Sequence, residues 1–407
     1  MSQAPFSAPL DLLPVHIRGI VERDTPIPSI ALTAQTLSQK YPQLVRADIG
    51  QISGFDADLE VLYGPPVGLP ALREMIAESW NLSHGFTAEN GLSTQGVAVC
   101  TGAAEGLSLL LKCFAEGKKV GLPRGHWENY LNGVALAKGE TVILDYFDQE
   151  GALDTDNLKK TIKDAGVEVI VANFPCNPTG AVLNTEEAQR LANMIKELNI
   201  ICIADEVYDR LRYDGHEPVS LMPFAPEHIV SVSSASKEYL LPGARVGFVL
   251  AFASTITDQI LRKVIRASSA SPNVLGQRRL LELLGPDLED MRAGREPGLL
   301  SRIRKELQER KENLVRVLEV FEFSSIGRPN HLPQGTIFLM AGLPSWWQGN
   351  DTDFAQAALD ACCVSTVPGS AFGLPGSVRF SYGGMTVERI EQLEKNLQKF
   401  RDSLAVG

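Results

Sequence analysis

The sequence lacks long apolar runs and clusters of basic residues. No stretch of about 18 apolar residues occurs, so no segment is expected to span a bilayer. The first two dozen residues show no charged segment followed by an apolar core, and no secretory signal is expected. The chain carries 49 acidic against 38 basic side chains, a formal net charge of -11. This excess of negative charge disfavours nucleic acid and anionic membranes as partners.

Cysteine is scarce and has no metal-like or redox-like spacing. The six cysteines contain no Cys-x-x-Cys pair, and no metal site is indicated. We expect a cytoplasmic protein with reduced thiols that pack as small apolar side chains. The composition, 44% apolar and 21% charged, is that of a globular protein. A chain of 407 residues can bury a full core without disulfides.

The central part of the chain alternates between strand-like and helix-like segments. Short β-branched runs lie between about residues 95 and 250, namely GVAVC, KKVGLP, TVILDY, VEVIVANF, IICIAD, IVSVSS and VGFVLAF. Amphipathic helices are predicted between them over residues 104–115, 127–137, 156–164 and 185–198. This alternation predicts an α/β fold with a mainly parallel sheet that is covered by helices on both faces.

The two ends of the chain have a different texture. Residues 1–45 are rich in proline, with one predicted helix around residues 30–40. The pattern changes after Gly285, and it predicts helices over residues 299–320 and 386–404 and strands over residues 336–340 and 377–381. We therefore predict an arm that also contributes to a small domain (1–45), a large domain (46–298) and a small α+β C-terminal domain (299–407).

The strongest motif is SASKEYLLPGARVGF, residues 234–248. Lys237 follows a predicted buried strand, where a charged amine is costly unless it is paired or neutralised. A desolvated lysine is suited to Schiff-base chemistry. Arg245, eight residues later, could bind a phosphate through its planar guanidinium. A solvated lysine in a chance basic loop is the alternative.

This stretch resembles the lysine motif of the class I/II aminotransferases that use pyridoxal 5′-phosphate (PLP), the aspartate aminotransferase family of fold type I. The resemblance implies a large PLP-binding domain with a mainly parallel sheet and a smaller α+β C-terminal domain. It implies that Lys237 holds PLP as an internal aldimine. It also implies that Ser234 and Arg245 bind the phosphate of PLP.

Two further motifs follow apolar strands in the order that the family has them. Asn177, in NFPCNPTG (173–180), would bond the hydroxyl oxygen of the PLP ring and contact the substrate. Asp205, in ADEVY, ends a strand, which is where open α/β sheets place ligands. By resemblance Asp205 pairs with the pyridine nitrogen, so that PLP acts as an electron sink, and Tyr208 bonds the ring hydroxyl oxygen. An ordinary Asn-Pro turn and a helix N-cap at Asp205 are the alternatives.

The turn TGAAEG, residues 101–106, places small residues at a predicted helix N-terminus, where free backbone N–H groups can bind an anion. By resemblance the N–H groups of Ala103 and Ala104 bind the PLP phosphate. A generic strand-to-helix turn is the alternative. Glu105 is a departure from the family pattern.

An aromatic residue near position 127 is expected to stack on the PLP ring. The resemblance favours Trp127, although Trp127 lies two residues farther from Pro123 than in the usual pattern, and Tyr130 is the second candidate. His126 beside Trp127 is unusual, and a surface histidine is its alternative interpretation.

Two more residues complete the resemblance. Tyr63, in a Y-x(4)-G pattern, would reach the phosphate in the neighbouring subunit, which implies a homodimer with shared active sites. A core aromatic is the alternative for Tyr63. Arg379 would bind the α-carboxylate of the substrate, and a structural arginine in an ion pair is the alternative.

Together these residues predict an aminotransferase that moves an amino group between an L-amino acid and a 2-oxo acid in a ping-pong reaction. Lys237 would act as the general base, with Asp205 and Tyr208 as the other catalytic residues. A PLP-dependent lyase or cyclase is the alternative, for which Glu105 and His126 leave room. A transcription regulator is disfavoured because residues 1–62 hold no basic helix pair. A catalytically inactive scaffold is disfavoured because every matched position is chemically competent.

Overall fold

The computed structural model describes residues 9–22, 37, 39–40, 61–325 and 332–404. Most of the predicted arm, and nearly all of the helix expected around residues 30–40, lie outside the described residues. Two helices of the arm are described, α1 (Pro9–Leu12) and α2 (Val15–Glu22).

A seven-stranded sheet forms the centre of the molecule. Its strands in chain order are β1 (Val97–Cys100), β2 (Lys119–Pro123), β3 (Glu140–Leu144), β4 (Val167–Asn173), β5 (Ile201–Asp205), β6 (Ile229–Ser234) and β7 (Gly247–Leu250). The spatial order is β1-β7-β6-β5-β4-β2-β3. Strand β7 runs antiparallel to β1 and β6, and the other neighbours are parallel. The predicted mainly parallel sheet is confirmed.

Helices cover both faces of this sheet. They are α3 (Pro70–Ser83), α4 (Gly102–Phe114), α5 (Asn129–Leu136), α6 (Thr155–Ala165), α7 (Thr185–Leu198), the single turn α8 (Ala235–Glu238), a π-helix (Thr255–Leu261) that continues into α9 (Arg262–Ser269), and α10 (Val274–Arg292). Strand β4 shows how both faces are filled. Val169 and Val171 join the core under α4 and α5, whereas Ile170 and Ala172 join the core under α6 and α7. A strand buried on both sides reads as a continuous apolar run, as the sequence does here.

Several element boundaries differ from the sequence prediction. Helix α5 begins at Asn129, so Trp127 lies before it and not inside it. The change of texture at Gly285 is not an element boundary, because α10 continues through Gly285 and Pro286 with its apolar face buried against α3. Thr336 precedes its strand because it has a positive φ of 72° and its Oγ1 accepts the N–H of Phe338 at 3.1 Å. Helix α7, by contrast, has the predicted bounds.

A second, antiparallel sheet lies in the C-terminal part. Its strands are β8 (Ser324–Ser325), β9 (Phe338–Gly342), β10 (Val367–Pro368) and β11 (Ser377–Ser381), in the order β10-β11-β9-β8. Helices α11 (Gly298–Val320), α12 (Asp351–Cys362) and α13 (Val387–Leu404) pack with it. The named strands of the first sheet come before residue 298 in the sequence, and those of the second sheet come after it. The domain boundaries themselves stay a prediction. Tyr208 and Tyr213, which follow β5, are part of the core of this second unit.

The cysteines are free thiols, as expected, but one of them is not buried. Cys363 ends α12 in the left-handed conformation with φ 56° and is exposed, whereas the other five are buried. No helix in the described part of the chain is long and apolar enough to cross a membrane.

Candidate active site

A cavity of about 470 Å³ opens at the carboxyl ends of β4, β5 and β6, and β9 and β11 of the second sheet close it from the other side. Every residue that the sequence predicts for the site, except Tyr63, lines this cavity. The predicted residues in its wall are Ala103, Ala104, Trp127, Asn177, Asp205, Tyr208, Ser234, Lys237, Arg245 and Arg379. Their convergence from positions nearly 280 residues apart in sequence is a property of the fold.

Lys237 lies in the single helical turn α8, directly after β6. Its Nζ is 5.6 Å from the centre of the Tyr208 ring. Burial lowers the pKa of Lys237, and the nearby Arg379 guanidinium lowers it further, while Asp205 opposes both effects. A lysine in this environment loses its proton more readily than a solvated one, as a nucleophile or general base requires.

Asp205 is 3% exposed at the end of β5. Its Oδ2 accepts a 2.5 Å hydrogen bond from the Tyr130 hydroxyl, and its Oδ1 accepts the N–H of Val207 at 3.3 Å. The carboxylate therefore caps a turn and not the N-terminus of a helix. Burial raises the pKa of Asp205 to about 6, although Tyr130, the Val207 N–H and Lys237 lower it. Such a carboxyl group favours a cationic partner, because a positive charge would offset its loss of hydration.

One end of the cavity has features that suit an anion. Helix α4 begins at Gly102, which has a φ of 77°. The guanidinium of Arg245 lies beside it and donates to the Thr101 carbonyl at 3.4 Å. A Cβ atom at Gly247 would lie 2.4 Å from the N of Ala103, so this glycine allows β7 to approach the first turn of α4. Free N–H groups, a helix N-terminus and a guanidinium together suit a phosphate.

Two other residues lie near this end in the chain. The Ser234 hydroxyl accepts the Ser236 N–H at 2.9 Å and thereby caps the turn that carries Lys237. Glu105, the departure from the family pattern, accepts the Thr101 N–H at 2.5 Å. Glu105 therefore serves the first turn of its own helix, and it does not line the cavity.

Arg379, on β11, forms the third part of the site. Its Nη1 donates to Asn177 Oδ1 at 3.0 Å, and its guanidinium lies 4.1 Å from the Phe338 ring centre and 4.7 Å from that of Phe372. No carboxylate among the described residues forms an ion pair with Arg379, which argues against the structural alternative. Its Nε is buried without a hydrogen-bond partner. A fixed, incompletely satisfied guanidinium of this kind is suited to an incoming carboxylate.

The aromatic wall differs from expectation in one detail. Tyr130 is engaged with Asp205, and Trp127 meets the Tyr130 ring edge-on with 5.7 Å between ring centres. Trp127 as the stacking residue stays a prediction. His126 is not a surface histidine, because it is 6% exposed and its Nδ1 lies 3.0 Å from the Pro123 carbonyl oxygen.

Sequence reasoning missed several residues of the wall. Asn173 donates to the Asp205 carbonyl at 2.9 Å and accepts the Asn177 N–H at 2.8 Å, so it joins the ends of β4 and β5. Asn173 is the last residue of β4 and the first residue of the motif that contains Asn177, and this position was the available signal for its role in the wall. Phe338 belongs to no recognisable motif, so nothing in the sequence indicated its place in the wall.

Tyr63 does not line the cavity of its own chain. Its side chain is 73% exposed, so the alternative of a core aromatic is wrong for the single chain. Its role toward a neighbouring subunit stays a prediction.

Comparison with known proteins identifies the family. The sequence profile of the family described as "Aminotransferase class I and II" matches residues 55–397. The chain belongs to this family. An aspartate aminotransferase of Pyrococcus abyssi is 30% identical over 351 residues, which cover 83% of each chain. A probable aspartate/prephenate aminotransferase of Thermus aquaticus is 29% identical and covers 96% of this chain and 95% of its own.

Solved structures agree with this aminotransferase in fold. The aspartate aminotransferase of Thermus thermophilus with maleate has a TM-score of 0.74 at 25% identity, covering 93% of this chain and 97% of its own. An aromatic aminotransferase of Pyrococcus horikoshii has a TM-score of 0.72 at 26% identity, covering 94% and 93%. This aminotransferase is therefore a transferase of nitrogenous groups, in a family that typically uses PLP.

Proposed function

We propose that this aminotransferase binds PLP through Lys237 and transfers an amino group from an L-amino acid to a 2-oxo acid. The observation that carries the proposal is the convergence of four groups on one cavity: the Lys237 amine, the buried Asp205 carboxyl, the anion site at α4 and the Arg379 guanidinium.

The residues present fit PLP at both of its ends. The first turn of α4 and the Arg245 guanidinium match a dianionic phosphate. Asp205, whose buried carboxyl group favours a positive partner, matches a protonated pyridine nitrogen. Asn177 and Tyr208 also line the cavity, and they would bond the ring hydroxyl oxygen.

When bound, PLP supplies an electron sink for the pair released at the substrate Cα. The residues of the chain prepare that step. Arg379 binds the α-carboxylate, so the Cα is held at a fixed place relative to Lys237. Once the substrate amino group has replaced it on the cofactor, the free Lys237 amine would take the Cα proton and pass it to the cofactor carbon that had held Lys237, while Asp205 would keep the ring nitrogen protonated.

The relatives indicate which substrates to consider first. The relatives named above are aspartate, aspartate/prephenate and aromatic aminotransferases. We propose aspartate and the aromatic amino acids as first candidates, since these relatives match most of the chain. The lyase or cyclase alternative gains no specific support, because both departures that left room for it lie outside the cavity wall.

The protein is proposed to act as a homodimer with shared sites. Exposed apolar side chains lie close to the cavity end that holds Arg245. Tyr63 is followed by Gly64, which packs closely against Val274, because a Cβ atom at Gly64 would lie 3.1 Å from the Val274 side chain. The residue after Val274, Leu275, is 57% exposed. The Asn273 side chain bonds the Ala244 carbonyl at 2.8 Å, which joins this surface to the segment before Arg245. Location in the cytoplasm stays a prediction.

The test is a panel of L-amino acids added to purified protein loaded with PLP. We expect the absorbance of the lysine-bound cofactor to shift to that of the aminated form, with stoichiometric 2-oxo acid. Ammonia release without that shift would instead indicate elimination. In parallel, Lys237→Ala should lose the lysine adduct that borohydride can trap. An adduct that survives in this variant would show that another lysine holds the cofactor.

A further inference from the structure

A buried ion pair lies outside the wall of the cavity. Arg210 and Glu238 form it, and their side chains are 12% and 3% exposed. Neither lines the cavity described above. Each nevertheless lies within two residues, along the chain, of one that lines the cavity. Glu238 follows Lys237 directly, and Arg210 lies two residues after Tyr208.

The pair is bonded more densely than an ordinary ion pair. Arg210 Nε and Nη2 donate to Glu238 Oε2 at 2.9 and 2.5 Å, and the Arg210 backbone N–H donates to Oε1 at 3.2 Å. Both carboxylate oxygens of Glu238 are thus held by one residue. The side-chain and backbone bonds together fix both the orientation of the peptide at position 210 and its distance from Glu238.

Arg210 also reaches a third element. Its Nη1 donates to the Ser79 hydroxyl of α3 at 3.0 Å, and its Nη2 lies 3.4 Å from the Tyr239 hydroxyl. The guanidinium carbon is 5.5 Å from the centre of the Tyr239 ring. The guanidinium therefore connects α3, the segment after β5 and the turn α8.

The turn α8 needs such support. It has only four residues, and Leu240, the second residue after it, has a φ of 54°, so its own helical hydrogen bonding is minimal. The Arg210–Glu238 pair is a bond from this turn to the segment that carries Asp205 and Tyr208. A displacement of about 1 Å at a reacting group can reduce a rate by about a hundredfold.

We propose that Arg210 and Glu238 are positioning residues that hold Lys237 at its place opposite Tyr208 and Asp205. They touch neither cofactor nor substrate and act through the backbone of α8. The inference rests on the proposed role of Lys237. It predicts a loss of catalytic rate that is separable from the loss of fold stability.

The separation requires a variant without an unpaired buried charge. Replacing one partner alone leaves the other charge buried and is strongly destabilising, whereas replacing both by apolar residues of similar size is often tolerated. The test variant is therefore the double substitution Arg210→Met/Glu238→Leu. The matched control is Arg292→Met/Glu78→Leu, which removes an exposed bidentate pair between α10 and α3, outside the cavity wall.

Three quantities are measured on the PLP-loaded proteins: urea unfolding, kcat with KM for the best amino acid, and the pH titration of the lysine–cofactor absorbance. We expect the test variant to fold and KM to change less than about threefold, while kcat falls about tenfold or more. The titration midpoint should shift, because Lys237 no longer has its fixed surroundings. The control should match wild type in all three. A test variant with wild-type kcat and titration would overturn the proposal.

Conservative variants decide the case if the double variant does not fold. Arg210→Lys keeps the charge and loses the fork, and Glu238→Asp keeps the charge and shortens the reach. Both should lower kcat more than they raise KM. Wild-type kcat in both would overturn the proposal. If the borohydride-trapped adduct persists in Lys237→Ala, the proposed function loses its lysine and this inference falls with it.

Discussion

At the scale of single residues, the buried position that suits Asp205 to its proposed role has a cost in stability. Its folded pKa of about 6 lies above the ordinary value because the carboxyl group is buried. A raised folded pKa favours folding at low pH, and that contribution is lost as the pH rises through about 6. Above that pH the protein without cofactor must keep a desolvated carboxylate.

Substituting Asp205 by Asn should therefore move stability and activity in opposite directions. Without PLP at pH 8, Asp205→Asn should be more stable, by on the order of 2 kcal/mol, because the buried negative charge is gone. Its stability between pH 4 and 7 should also lose part of its pH dependence. With PLP, turnover should fall by about a hundredfold or more, since a neutral amide does not hold the ring nitrogen protonated.

Urea unfolding at several pH values and single-turnover absorbance measure the two effects. Asp145→Asn is the control, because that carboxylate pairs with Arg124 in an exposed position. Turnover of Asp205→Asn within threefold of wild type would exclude Asp205 as the partner of the ring nitrogen.

Arg379 should matter for the substrate and not for PLP. Arg379→Lys keeps the charge but removes the fork and the contacts with Phe338 and Phe372. We expect normal PLP content and an affinity for amino acids that is lower by about 10- to 100-fold, as for the loss of a charge-assisted hydrogen bond. Amines without a carboxylate should respond little. Equal weakening of amines and amino acids would place the carboxylate site elsewhere.

At the scale of elements, the sequence predicted strands better than helices. Most strands of the large sheet are buried on both faces, so they appear in the sequence as short, mainly apolar runs. Helices α3 and α10 were not predicted. Gly285 and Pro286 look like helix breakers in the sequence, but packing of Leu280, Leu284 and Leu288 keeps α10 intact around them.

Some residues of the candidate site could likewise be predicted from the sequence, and others could not. Residues at or just after the end of a strand, such as Asp205 and Lys237, could be predicted because topology alone brings the ends of parallel strands together. The hydrogen bond from Tyr130 to Asp205 could not be predicted, since it joins positions 75 residues apart and depends on how α5 packs against the sheet. Phe372, beside Arg379, lies in a short 3₁₀ turn whose position follows only from the folded second sheet.

The contact between β7 and α4 provides a test at this scale. In Gly247→Ala the new Cβ would lie 2.3 Å from the Gly102 carbonyl carbon and 2.4 Å from the Ala103 N, so backbone must move. We expect a loss of about 1–3 kcal/mol in stability, as for overpacking. PLP affinity should also fall, because the N–H groups at the start of α4 shift.

Gly243→Ala is the matched control for this substitution. Gly243 lies in the same segment, has no positive φ, and its Cβ would meet nothing within 4 Å. Urea unfolding and PLP titration compare the two variants. Wild-type PLP affinity in Gly247→Ala would show that the first turn of α4 is not the phosphate site.

At the scale of the whole molecule, the proposed homodimer assigns Tyr63 and Lys237 to different subunits of one site. Tyr63 is 73% exposed and does not line the cavity of its own chain, whereas Lys237 and Arg379 line the same cavity. Shared sites make a prediction that separate sites do not make. Two inactive variants should restore activity in a mixed dimer only when different subunits contribute the two substituted residues to the same site.

The experiment co-expresses Lys237→Ala with Tyr63→Ala, each carrying a different affinity tag, and isolates the mixed dimer. One of its two sites then lacks both side chains, and the other has Lys237 from one subunit and Tyr63 from its partner. We expect about half of wild-type activity per dimer, because one of two sites is intact. The mixed dimer of Lys237→Ala with Arg379→Ala is the control. Both of its sites are defective, so it should stay inactive. Equal, low activity in both mixed dimers would mean that Tyr63 does not serve the neighbouring site, whereas recovery in the first alone, together with an inactive Tyr63→Ala homodimer, requires a site built from two subunits.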